Sequence, residues 1–313
     1  MPPIQIETYN HNHLPGMTAL YNAETACEPH IAPLTPERFI KLVEEKSHFD
    51  PTGLFVAKEE GAIVGWVHAC LAPGSEGRHD PLGKIARIRM LVFPRTRLDV
   101  SNALVTEATD WLTGAGHEQI EALHAKDGYP FYRGLWMGGE PMCPVTLPHV
   151  HIALETGGYH NTQESIFLVA EMPAPPPAPA PRLSIELETT PATLTHEGMR
   201  QSWIGFEPVR TRALVNGEEA GSIGWVMQPY LDRLGAPSMN IWGLGVKEYF
   251  RRQGIAAALV ADAMRQSYAL GARTASVGTQ LWNAPAHATY AKLGYRPYCI
   301  LVGRERKPSP RNS

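Results

Sequence analysis

The chain has 313 residues, with 28 Lys and Arg against 31 Asp and Glu and a net charge of −3. With 43% hydrophobic and 19% charged residues it has an ordinary globular composition, at a length that suits two domains. That balance argues against a polybasic nucleic-acid binder, and no run of about 18 apolar residues is present to cross a membrane.

The first residues, Met1-Pro2-Pro3-Ile4-Gln5, show no basic, then apolar leader, so a cytoplasmic protein is expected. Cys27, Cys70, Cys143 and Cys299 lack C-x-x-C spacing, which points to neither a zinc site nor a disulfide framework. Thr35 is placed to cap a helix over 36–46. Residues 54–58 and 62–71 read as a hairpin, and 103–108 carry a helical pattern. His11 and His13, like His149 and His151, alternate as if on one face of a strand; a metal would need further convergent ligands, so none is expected. The stretch 129–141, rich in aromatics and glycines, either lines a pocket or covers one.

Nine residues from Pro173 to Pro181 are proline and alanine alone. They favour polyproline II and read as a semi-rigid tether. Charge divides there: residues 1–172 hold 12 Lys and Arg against 21 Asp and Glu, and 173–313 hold 16 against 10. A positive second half suits an anionic ligand, and opposite signs favour docking of the halves.

After the tether, 191–208 leave room for about one helix. Asn216-Gly217 between apolar runs marks a hairpin over 211–227. Ile241, Trp242, Leu244 and Val246 make a strand that is apolar on both faces. Arg251-Arg252-Gln253-Gly254-Ile255-Ala256-Ala257 then turns into a helix, with Ile255, Leu259 and Ala263 recurring every four residues. The first amides of a helix lack partners, so a diphosphate fits this turn; Gly254 admits close approach and Arg251 and Arg252 add charge. Further on, Asn283, Ala286 and Tyr290 share one helical face, and Gly294 is placed as its stop.

The R-x-x-G-x-A pattern of the turn, followed by N-x-x-A-x-x-x-Y-x-x-x-G-Y from Asn283 to Tyr295, resembles the GCN5-related N-acetyltransferase (GNAT) superfamily. The halves also repeat one another. Gly65-Trp66-Val67 matches Gly224-Trp225-Val226, residues 103–108 match 258–263, Gly158-Tyr159 matches Gly294-Tyr295, and 167–170 match 300–303. This suggests a tandem of two GNAT-like domains, as in mycothiol synthase-like acetyltransferases. It implies an α+β fold, a mixed, mostly antiparallel sheet flanked by helices. The expected divisions are 1–172 as a divergent domain without cofactor, 173–182 as linker, and 183–313 as the domain holding acetyl-CoA. In the first copy Arg97-Leu98-Asp99-Val100-Ser101-Asn102 replaces the phosphate turn, with no glycine and an added carboxylate.

The resemblance further implies direct acetyl transfer from acetyl-CoA to an amine of a small molecule or peptide. Leu244, Gly245 and Val246 would bind the pantetheine, Arg251 to Ala257 the diphosphate, Asn283 and Ala286 the arm. Tyr290 would protonate the leaving thiolate. Glu207, Glu248, His287 or a water chain would serve as base, Asn240 standing where some relatives place a carboxylate. Trp136, Trp203 and Trp242 are candidates for substrate contact or for core. The short 191–208 segment implies an acceptor cleft closed by the first domain or a partner subunit, in a monomer or homodimer. A non-catalytic acyl-CoA sensor and an aminoacyl transferase using charged tRNA are the alternatives. The tail from Arg304 is expected to be disordered.

Overall fold

A computed structural model describes residues 3–73, 84–124, 131–135, 142–177, 179–195, 197–231 and 234–307. The first half runs β1 (Gln5–Thr8), α1 (Leu14–Glu24), α2 (Pro36–Phe39), β2 (Leu54–Glu59), β3 (Ala62–Pro73), β4 (Lys84–Val92), α3 (Leu98–Gly114), β5 (Ile120–Ala122), β6 (Cys143–Pro144), α4 (Pro148–Thr156) and β7 (His160–Glu171). The second runs β8 (Glu186–Pro191), α5 (Glu197–Ser202), β9 (Val209–Val215), β10 (Glu218–Gln228), β11 (Ser238–Val246), α6 (Ile255–Ala269), β12 (Thr274–Gln280), α7 (Ala284–Ala291) and β13 (Arg296–Arg306). Among the described residues no helix is long and apolar enough to cross a membrane.

The two halves build one sheet, in the order β1-β2-β3-β4-β5-β13-β7-β12-β11-β10-β9-β8. It is mixed: β4–β5 and β11–β12 are parallel and the other pairs antiparallel. The order reads alike from either end, and the last strand of each half is exchanged. β13 pairs with β5 of the first half, while β7 pairs with β12 of the second. Arg304 and Arg306 are therefore strand residues opposite Ala122 and Ile120, not part of a disordered tail. Arg304 is buried and donates to the Tyr159 carbonyl at 2.8 Å. Beside it Glu121, His124 and Glu305 form a buried cluster, with Arg87 paired to Glu121.

Two hairpins hold the repeat in register. Glu60-Gly61 and Asn216-Gly217 both have positive φ at both central residues, the mirror-image turn that matches strand twist. A bulge then sets Gly65 opposite Ala57, and the same bulge sets Gly221 opposite Ala213. Gly65 is thus equivalent to Gly221, and His68 to Gly224. The Gly-Trp-Val match of the sequence was three residues out of register. It aligned like residues where the bulged ladders align unlike ones.

The helices cover the two halves unequally. Leu14, Met17 and Tyr21 of α1 and Phe39 of α2 are fully buried against the first half's sheet. Thr35 caps α2 as expected, but from Ile40 to Glu44 the backbone widens into a π-helix. His149 and His151 lie on α4, not on a strand; His149 packs against Phe93 and His151 meets the Pro144 carbonyl. His11 and His13 lie in a 3-10 turn. Among the described residues of the second half, the six of α5 stand where α1 and α2 stand in the first.

The tether is docked. Tyr268, near the end of α6, donates to the Pro173 carbonyl, and Arg182 N–H donates to Gln253 O at 2.8 Å, beside the start of α6. The two ends of the proline segment thus lie beside the two ends of α6.

Candidate active site

The parallel ladder between β11 and β12 pairs only Ser238–Ile241 with 274–277. Beyond Ile241 the strands separate. A bulge at Trp242 causes the turn away: Gly224 faces Gly243, but Trp225 faces Ile241. Lys247 N–H donates to Ala220 O, so odd-numbered amides of this stretch face β10. The amides of Leu244 and Val246 alternate with them and face the gap. A sheet edge opens inside the sheet, and an extended chain with amide groups can pair to it.

At the end of β11 lies the basic turn. Arg252 has φ +61° and Gly254 φ +86°, with Gln253 between them. Left-handed residues in such succession turn neighbouring N–H groups toward one side, forming a nest for an anion. Among the described residues the amides of 252–257 meet no protein acceptor, and Ile255 begins α6. The helix adds its partial positive end. Arg251 and Arg252 are exposed beside it. These features fit a diphosphate. The equivalent turn in the first half is filled: Arg97 pairs with Asp99 and with Glu59, both at 2.9 Å.

The other wall of the gap is β12 and α7. Asn283 is the N-cap of α7, accepting from Ala286 N–H at 3.4 Å and donating to Thr279 Oγ1 at 3.3 Å. Ala286 is half-buried, and Tyr290 is 3% exposed, its ring 5.3 Å from that of Tyr295. Burial pushes the Tyr290 phenol up to about 12, so it carries its proton at neutral pH. Gly294, φ +86°, ends the turn.

On the sheet face opposite α6 a cavity of ≈ 240 Å³ lies against the bulge. Its lining is Ala192, Thr193, Arg210, Ser222, Gly224, Trp242, Gly243, Leu244 and Gly245. The Trp242 ring lies over Gly224, where a Cβ would come within 2.4 Å of it. Gly243 and Gly245 would each have open space around a Cβ, so they clear the floor. Arg210 donates to Glu219 at 2.9 Å and to Ser222 at 3.1 Å. At the matching place in the first half, His68 takes the position of Gly224 and meets the Tyr132 hydroxyl at 2.7 Å, with Phe131 4.9 Å away. The described part of the 129–141 insert therefore fills its own half's cleft.

Of the residues singled out by motif, 244–246, 251–257, 283, 286 and 290 fall along the two sides of one gap. Asn240 is buried and donates to Ser276, so it is held inside the sheet. Glu207 and Glu248 are exposed, and His287 meets the Gln280 carbonyl. Trp242 lines the cavity, Trp203 lies where the halves meet, and Trp136 lies outside the described residues. Gly224 was marked only as part of the repeat, not as a site residue, and Arg210, Ser222 and Thr193 had no motif to mark them; the alternation of Arg210 and Arg212 along one strand was a visible sign.

Residues 180–295 match the model of the Acetyltransferase (GNAT) family. That match spans most of the second half. Solved structures extend the likeness to the fold of the whole chain. A GCN5-related N-acetyltransferase from Sphaerobacter thermophilus superposes with a TM-score of 0.68 at 15% identity, covering 99% of this chain and 98% of that one. A tandem GNAT protein from the clavulanic acid biosynthesis pathway gives 0.67 at 16%, covering 99% and 100%. A GCN5-related glucosamine N-acetyltransferase region of a fungal multi-domain GH3 β-N-acetylglucosaminidase gives 0.68 at 13%, covering 97% of this chain and 38% of that one. We found no match among curated proteins. Two like folds in tandem, as in that tandem GNAT protein, account for the palindromic sheet.

Proposed function

We propose that this protein is an N-acetyltransferase whose donor, acetyl-CoA, binds in the gap between β11 and β12. The observation that carries the reading is the coincidence of a splayed inner edge with an unpartnered amide nest at its end. When bound, acetyl-CoA supplies the thioester that an amine attacks. Residues 252–257 hold its diphosphate through backbone amides, and Arg251 and Arg252 add charge. The Val246 amide would pair with the pantetheine, and the Leu244 amide would be left to donate to the thioester oxygen. Asn283 and Ala286 flank the arm on the other side.

The acceptor is a small-molecule or peptide amine seated in the cavity over Gly224. Tyr290 holds a proton for the departing sulfur, and burial keeps that proton in place across the neutral range. The first half has its turn closed by Arg97 and its cleft filled by Tyr132, so it holds no second donor.

Thiol release with acetyl-CoA, measured across amino sugars, α-amino acids, diamines and short peptides, tests the reading. Tyr290→Phe should lower kcat by about 10²-fold or more, the usual scale for a lost general acid, with acetyl-CoA affinity held within twofold. Binding of acetyl-CoA without thiol release from any acceptor would favour a sensor instead.

A further inference from the structure

The acceptor cavity has one wall whose support crosses from the other half. Trp242 lines the cavity, and its ring lies 5.8 Å from that of Trp203. Trp203 is 4% exposed, and the Arg133 guanidinium stands over its ring at 3.8 Å. Arg133 Nε also donates to Ser202 Oγ at 2.6 Å. A cation held this close over an indole face fixes the ring's plane as well as its place. Arg133 belongs to the first half; Trp203 and Trp242 belong to the second.

The backbone around this stack is fitted to it. Gly134 has φ +80°, and a Cβ there would come within 2.6 Å of Phe206 and 3.0 Å of Gln228. Gly205 has φ +86°, and a Cβ there would come within 2.9 Å of Lys41. Lys46 donates to Gln201 O at 2.9 Å and to Ile204 O at 3.4 Å, tying down the end of α5. Phe206 packs on Tyr230, over which Arg38 stands at 5.0 Å. A six-residue helix cannot hold a tryptophan by itself. Here first-half side chains hold it from several directions.

We propose that Arg133 is a positioning residue for the acceptor: through Trp203 it sets the Trp242 wall, so the donor-free half shapes what the donor-binding half accepts. This rests on the acyl-transfer reading of the cavity. The acceptor recognised is an amine with a flat or apolar face that lies on the indole, with Arg210 and Ser222 at the rim for its polar groups.

The test uses the full chain with Arg133→Met, which keeps length and removes charge, and Arg133→Lys, which keeps charge. Kinetics are taken with whichever amine of the panel releases thiol. Arg133→Met should raise that amine's KM at least fivefold, leave kcat and the acetyl-CoA KM within twofold, and be partly rescued in Arg133→Lys. Iodide quenching of tryptophan emission should rise in Arg133→Met, and rise less when Trp242→Phe is added. An unchanged acceptor KM beside a lowered Tm would make Arg133 a structural residue and overturn the proposal. If no amine of the panel releases thiol, the acyl-transfer reading fails on its own, and the quenching still decides whether Arg133 positions Trp242: an unchanged quench overturns that link.

Discussion

Leu168 of β7 lies between Val277 of β12 on one side and Pro297 of β13 on the other. A strand made by the first half is thus enclosed by two strands of the second. Seven residue pairs join β7 to β12, and β13 continues onto β5. Leu231 of the second half is buried in the first half's core. The proline segment is therefore not what keeps the halves together. A chain cut by a protease site placed within 173–177 should yield two fragments that co-elute as one species on gel filtration without denaturant. Separate elution of the fragments would contradict the strand exchange.

Gly254 combines two demands. Its φ of +86° is left-handed, and a Cβ would come 3.1 Å from Pro181 Cα. Gly254→Ala should cost about 1–3 kcal/mol of stability from strain. That is a Tm lower by about 2–4 °C for each kcal/mol in a domain of this size. Relief of the strain would turn the nest amides, so acetyl-CoA affinity should fall at least tenfold. Gly217→Ala is the control: φ is +81°, with open space around a Cβ, so it should lower Tm without touching affinity. Calorimetric titration of both variants with acetyl-CoA, beside thermal melts, separates strain from binding. Equal affinity losses in the two would detach the nest from the donor.

The proposed donor side of this site could be read in the sequence because its residues lie close together in local patterns. A nest needs Arg252, Gln253 and Gly254 in a row, and one face of a helix needs Asn283, Ala286 and Tyr290 at fixed spacing. Local chemistry sets both, so a local pattern reports them. The proposed acceptor side comes from ladder register and from contacts across the halves. Gly224 meets Trp242 only because a bulge shifts one strand, and Arg133 meets Trp203 across 70 positions of sequence. The strand exchange was illegible for a related reason. β7 and β13 carry similar patterns, so either satisfies the neighbour of β5 or of β12. The tail was misread because Arg304 looks solvent-seeking, whereas Glu155 and the Tyr159 carbonyl meet its guanidinium inside the structure.

Lys46 gives the contact between the halves a pH signature. Burial pushes its ammonium down to about 8, and the Arg133 charge adds repulsion. In the unfolded chain it titrates near the ordinary lysine value of about 10.4. The folded pKa is the lower, so between about 8 and 10.4 the unfolded chain binds more protons and stability rises with pH. Below about 8 the cost of burying the charge is present in full, and it is relieved as pH climbs through that window. The neutral amine can still donate to Gln201 O and Ile204 O, so the contact survives deprotonation. Lys46→Met removes both the charge and the two hydrogen bonds. Urea unfolding of the two proteins from pH 7.5 to 10 should show the lysine protein gaining on the methionine protein by about 1–3 kcal/mol. Other ionisations are common to both chains and cancel in the difference. A difference that stays flat with pH would mean that the ammonium keeps its water and that the end of α5 is held by packing alone.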